Sequence, residues 1–80
     1  MKLELFKKES CPYCQKVLRY LKEVSRTDVE MRDIVMDPEN LKILTEVGGK
    51  HQVPCLFIDG KPLYESDDII TWLREHPQAS

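Results

Sequence analysis

Cys11-Pro12-Tyr13-Cys14 is the segment of this sequence best suited to chemistry. A thiol attacks a disulfide only as its thiolate, so a site for that reaction must favour the anion. Cys11 fits if Pro12 opens a helix, because free N–H groups and the positive end of the helix dipole favour negative charge there. Lys8, three residues upstream, adds positive potential. Cys14 follows one helical turn later, near enough to attack a mixed disulfide formed on Cys11 and release its partner. Pro12 enforces the helix start, and Tyr13 sets an aromatic ring beside the nucleophile. Cys11 is therefore assigned as nucleophile and Cys14 as resolving thiol. A Cys-x-x-Cys pair also serves as half of a zinc site. The other candidate ligands are Cys55, His51 and His76, with no second paired spacing, so no metal is expected. A pair of inert core cysteines is the remaining use, and a position after a strand at the mouth of a helix suits it poorly.

The elements that must hold this pair are legible in the surrounding pattern. Leu3-Glu4-Leu5-Phe6 alternates as a short strand. Cys11 caps the helix that follows, and Cys14, Val17, Leu18, Leu21 and Val24 give it one apolar face. Residues 28–34 alternate as a second strand. Asp37-Pro38 opens a second helix with Leu41, Leu44 and Val47 inward and Gly48 as its stop. Cys55–Ile58 reads as a third strand, Asp59-Gly60 as a hairpin turn, and Lys61–Tyr64 as a fourth strand whose Pro62 requires an edge position. Ser66 caps a last helix through Ile69, Ile70, Trp72 and Leu73, ending near His76-Pro77, with Trp72 in the core. The expected fold is α/β in the order βαβαββα, a four-stranded mixed sheet flanked by three helices. Its first two strands are parallel across the helical crossover.

Eighty residues form one domain, 1–80, with no linker or repeat. The composition, 41% hydrophobic and 32% charged, is that of an ordinary globule. A net charge of −2 gives no electrostatic reason to expect nucleic acid or an anionic membrane as partner. The N-terminus lacks the apolar run of a signal peptide and no stretch is long enough to span a bilayer, so a cytoplasmic location and a monomer are expected. Three cysteines, an odd number, do not suggest a disulfide-stapled secreted module.

Over essentially its whole length the sequence resembles the glutaredoxins, a thioredoxin-fold family. Lys8-Glu9-Ser10-Cys11-Pro12-Tyr13-Cys14 is similar to the dithiol glutaredoxin active site. Gly49 to Val53-Pro54 resembles the loop before the family's cis-proline. Phe57-Ile58-Asp59-Gly60-Lys61 resembles its central hairpin, and Ser66-Asp67-Asp68 the end of its glutathione site. The resemblance implies a thioredoxin-like fold and a glutathione-dependent thiol–disulfide oxidoreductase acting on glutathionylated and disulfide-containing proteins, with glutathione as co-substrate. It further implies that Val53 pairs main chain to main chain with glutathione and that the bond before Pro54 is cis. Tyr13 would flank the ligand, Lys8 and Lys50 would meet the glycyl carboxylate, and Ser66 and Asp67 would take the γ-glutamyl end.

The chain departs from the family pattern at three places. Tyr64-Glu65 stands where many members carry Gly-Gly, and Glu65-Ser66 is closer to the Glu/Gln-Ser element in the glutathione-binding domain of glutathione transferases. Gln52 replaces a common Thr. Cys55, directly after Pro54, is either a small buried hydrophobe or a third redox thiol. Rival functions are a thioredoxin-like donor served by a flavoprotein reductase, an iron–sulfur module held in a dimer, and an isolated transferase-like binding domain.

Overall fold

The computed structural model describes residues 1–78. The elements are β1 (Leu3–Lys7), α1 (Pro12–Glu23), β2 (Val29–Asp33), α2 (Pro38–Ile43) continued by a π-helical turn (Leu44–Gly48), β3 (Cys55–Ile58), β4 (Lys61–Tyr64) and α3 (Ser66–Glu75). The sheet order is β2-β1-β3-β4. β1 runs parallel to β2, with Leu5 opposite Met31, and antiparallel to β3, with Leu5 opposite Leu56. β4 closes one side, and its Pro62 sits opposite Phe57 on the edge, where a missing N–H leaves no ladder bond unmade. This is the βαβαββα order and four-stranded mixed sheet that the sequence pattern predicts, and the thioredoxin-like fold that the resemblance implies.

Strand alternation divides the interior in two. Leu3, Leu5 and Leu56 face α1 and α3, where Val17, Leu21, Ile69, Ile70 and Leu73 complete one buried cluster. Phe6, Cys55 and Phe57 face the opposite way and meet Ile34 and Leu44, with Leu41, Ile43, Val53 and Tyr64 at the margin. Phe6 and Phe57 pack ring against ring, centroids 4.5 Å apart. Trp72, read as core, is half-buried against the first cluster and stacks on His76 at 4.1 Å.

Two details of the second helix differ from the sequence reading. Val47, expected inward, is 58% exposed. The π turn from Leu44 widens the helix by one residue per turn and carries Val47 off the apolar stripe that Leu41 and Leu44 define. The glycine that stops the helix is also not Gly48, which is its last residue, but the next one. Gly49 takes the left-handed conformation, φ 86°, that ends it. Gly48 serves a different purpose: a Cβ there would come within 2.8 Å of the Tyr64 hydroxyl, which donates to the Gly48 carbonyl at 2.9 Å.

α3 begins differently too. Ser66, expected as its cap, is the first helical residue. Glu65 occupies the cap position with φ 71° and makes no side-chain cap bond. A left-handed backbone costs an L residue on the order of 1–2 kcal/mol. A glycine would meet no such cost; the Glu65 carboxylate accepts from the Gln52 side chain at 3.3 Å.

Candidate active site

The dithiol is assembled by β1, the loop after it and the first turn of α1. Pro12 occupies the first helical position, and Cys11 caps the helix with its Sγ accepting from the Cys14 N–H at 3.3 Å. The Cys11 N–H donates to the Lys8 carbonyl at 3.2 Å, closing a turn that aims the sulfur at the loop before β3. There the Cys11 thiol meets the Val53 carbonyl at 3.8 Å. The peptide bond between Val53 and Pro54 is cis.

All three cysteines are free thiols. Cys14 is fully buried. Burial, more than anything else, pushes its thiol up to about 12. Hydrogen bonding and charge from Cys11 add to the rise, while the Lys8 main chain and ammonium pull against it. Cys55 is also fully buried, and burial raises it to about 11 despite a hydrogen bond with the Tyr64 hydroxyl. The Tyr64 phenol is raised in turn, mainly by its own burial. Thiols so protonated are poor nucleophiles at neutral pH. Brief treatment of the folded protein with iodoacetamide at pH 7 should therefore label Cys11 and leave Cys14 and Cys55 unmodified. Mass mapping that finds Cys55 alkylated as fast as Cys11 would contradict this placement.

Beside Cys11 lies a groove of about 410 Å³ lined by Tyr13, Gln52, Val53, Glu65, Ser66 and Asp67. Tyr13 is 66% exposed and forms one wall. Ser66 is buried at the start of α3, and Pro54 is buried behind Val53. Of the predicted ligand contacts, Tyr13, Val53, Ser66 and Asp67 come together here. Lys50 does not line the groove; its ammonium sits 5.1 Å over the Tyr64 ring. Lys8 does not line it either; it is half-buried beside Cys14.

The sequence reading assigned Gln52 no role and touched Glu65 only through the likeness of Glu65-Ser66 to the transferase element. Both line the groove, and the Gln52 Nε2 donates to the Glu65 carboxylate at 3.3 Å. It also missed Lys7. That side chain is buried at the end of β1, donating to Glu9 at 2.5 Å and Asp33 at 3.2 Å. Glu9 in turn accepts from Gln15 on α1 at 3.0 Å, so this chain of bonds braces the loop ahead of Cys11. The Glu9 bond raises the Lys7 ammonium above its ordinary value, burial opposing. The Glu9 carboxyl is lowered chiefly by Lys7, and that of Asp33 chiefly by the amides of Met36 and Val35. Strand alternation was the available signal: Lys7 continues the inward Leu3–Leu5 row. Among the described residues no three His, Cys, Asp or Glu side chains converge as metal ligands.

A helix-capping cysteine, its partner one turn inside and a proline loop across from both place this molecule in the thioredoxin-fold class of dithiol proteins. Comparison with known proteins narrows the class. The glutaredoxin family model matches residues 3–63. Glutaredoxin-C4 of Arabidopsis thaliana is 34% identical over 71 residues, covering 86% of this chain and 53% of its own length. Glutaredoxin 1 of Rickettsia prowazekii is 34% identical over 68 residues, covering 82% of this chain and 70% of its own. The crystal structure of the holo form of glutaredoxin C1 from Populus tremula x tremuloides superposes with a TM-score of 0.68 at 22% identity, covering 91% of this chain and 74% of that one. The chain belongs to the glutaredoxin family. It spans about half the length of the Arabidopsis relative.

Proposed function

We propose that this chain is a glutathione-dependent thiol–disulfide oxidoreductase, with Cys11 as nucleophile and Cys14 as resolving thiol. One observation carries the reading: the helix-capping Cys11 sulfur contacts the carbonyl of Val53, which lines a groove ending at the N-terminus of α3. Glutathione is an extended tripeptide with a charge at each end. The groove suits it, with the cysteinyl unit along Val53 and the γ-glutamyl end at Ser66 and Asp67. Lys8, outside the groove's lining but beside the dithiol, would meet the glycyl carboxylate, and Tyr13 walls the groove.

On a glutathionylated protein the Cys11 thiolate attacks the glutathione sulfur. A disulfide forms between Cys11 and glutathione as the old S–S bond breaks, and the protein leaves as its thiolate. A second glutathione thiolate then attacks the glutathione sulfur, releasing glutathione disulfide and regenerating the Cys11 thiolate. On a protein disulfide, Cys11 forms a mixed disulfide and Cys14 attacks it, giving up its proton. The substrate leaves reduced, and the Cys11–Cys14 disulfide is returned to the dithiol by two glutathiones. The two electrons come from glutathione in both cases. The expected setting is the cytoplasm, where thiols stay reduced, with the protein acting as a monomer.

The test is turnover of a glutathionylated peptide with glutathione as sole reductant. Rapid release of free peptide supports the proposal. No release with glutathione, but reduction of the dithiol by a flavoprotein thioredoxin reductase, would instead make the chain a thioredoxin-like donor.

A further inference from the structure

Asp67 belongs to two cavities at once. It lines the groove beside Cys11 and also a cleft of about 470 Å³ between α1 and α3, whose walls include Lys16, Arg19 and Arg74. At the junction the Lys16 ammonium makes an ion pair with Asp67 Oδ1. Lys16 therefore sets a positive charge at the end of the groove, next to the acid that the proposed function assigns to the γ-glutamyl ammonium.

We infer that Lys16 is a specificity-determining residue for the glutathione donor: with Asp67 it reads the amino-acid end of the γ-glutamyl group, the carboxylate on Lys16 and the ammonium on Asp67. The inference rests on the glutathione reading above and deepens it.

The chemistry is complementary in sign and spacing. A γ-glutamyl end carries a carboxylate and an ammonium on one carbon, and Lys16 and Asp67 present an ammonium and a carboxylate in contact. Lys16 takes Oδ1 of Asp67, and a carboxylate accepts about four hydrogen bonds over two oxygens, so Oδ2 is able to receive the ligand ammonium. The first-turn amides of α3 and the Ser66 hydroxyl share the ligand carboxylate with Lys16. The other charged group on the groove, Glu65, is engaged by Gln52.

A purely structural role explains this pair poorly. The Lys16 and Asp67 side chains are 51% and 79% exposed, and exposed ion pairs contribute little to folding. What the pair does achieve is order. Asp67, on the first turn of α3, holds the Lys16 ammonium beside the end of the groove, where a ligand carboxylate would meet it.

The test measures KM and kcat for peptide mixed disulfides of three thiols. These are glutathione, γ-aminobutyryl-cysteinyl-glycine, which lacks the α-carboxylate, and glutaryl-cysteinyl-glycine, which lacks the ammonium. For Lys16→Gln, KM for the glutathione adduct should rise about two- to fivefold, the range an exposed charge contact supports, with kcat unchanged. The same substitution should leave KM for the γ-aminobutyryl adduct unchanged. Asp67→Asn should raise KM for the glutathione and γ-aminobutyryl adducts and spare the glutaryl adduct. Lys16→Arg should restore most of the affinity. An unchanged or lowered KM for glutathione in Lys16→Gln overturns the inference while leaving the oxidoreductase reading intact, as does an equal loss on the adduct without a carboxylate. If wild-type protein turns over no glutathione adduct at all, both fall together.

Discussion

Cys11→Ser should lose glutathione-dependent turnover by at least ~10³-fold, down to the uncatalysed exchange rate, because serine has no sulfur to carry the mixed disulfide. Cys14→Ser should behave in the opposite way on one substrate. It should keep removal of glutathione from a glutathionylated peptide, which needs a single thiol, and lose reduction of a protein disulfide, which needs two. The asymmetry follows from where the sulfurs sit. Cys11 caps α1 with its sulfur at Val53. Cys14 lies wholly inside, and its thiol at about 12 is almost never ionised at neutral pH. Burial is the main cause of that rise, but two further causes belong to Cys11 itself, its hydrogen bond and its charge. A Cys11 tied up in a mixed disulfide carries no negative charge, so that cause of the rise is removed. The resolving thiol thus becomes easier to ionise at the step that requires it. Parallel assays of the two variants on both substrates check this. Full turnover in Cys11→Ser would reverse the assignment.

Phe6→Ala should be the most damaging single change to the fold, with a loss of about 3–5 kcal/mol. Phe6 is fully buried in the smaller of the two clusters, ring to ring with Phe57 and beside Ile34, Leu44 and Cys55. That cluster has few side chains able to collapse into the space a phenyl ring leaves, so most of the cavity would persist. A domain of this length holds roughly 4–12 kcal/mol in all. The expected fall in melting midpoint is at least about 12 °C, at roughly 4–8 °C for each kcal/mol. Val47→Ala is the matched control: its side chain is in solvent and should change stability by less than about 0.5 kcal/mol. Urea titrations of both variants decide the matter, and a Val47→Ala cost rivalling that of Phe6→Ala would restore the regular helix that the spacing predicts.

Much of this molecule is written in local signals. Pro12 and Pro38 mark helix starts, Asp59-Gly60 marks the hairpin, and the alternation of Leu3, Leu5 and Phe6 marks a strand covered on both faces. Those signals were enough to order the elements and to place Cys11 at the mouth of α1. What escaped was set by contacts between residues distant in sequence. Val47 leaves the core because a π turn changes the helical period, and no residue in Leu44–Gly48 announces one. Ser66 looks like a cap, but Glu65 takes that position and leaves Ser66 inside the helix. The ion pair between Lys16 and Asp67 joins residues 51 positions apart, so neither residue alone suggests it. Lys7 was the one miss with a visible cue, since period two carries the inward row of β1 to its end.

The two outer strands of the sheet have a consequence for life in a crowded cell. β4 presents Pro62, which cannot donate to an added strand, and β2 carries Glu30 and Arg32, with Arg32 held by Glu4 at 2.9 Å and by Glu30 at 3.3 Å. Charges and proline on the rim are what keep sheets from growing by edge-to-edge pairing. The proposed reaction on disulfide-containing proteins would bring this protein extended segments of other chains. Its own rim gives them no template, so encounters end in release, not in a fibre.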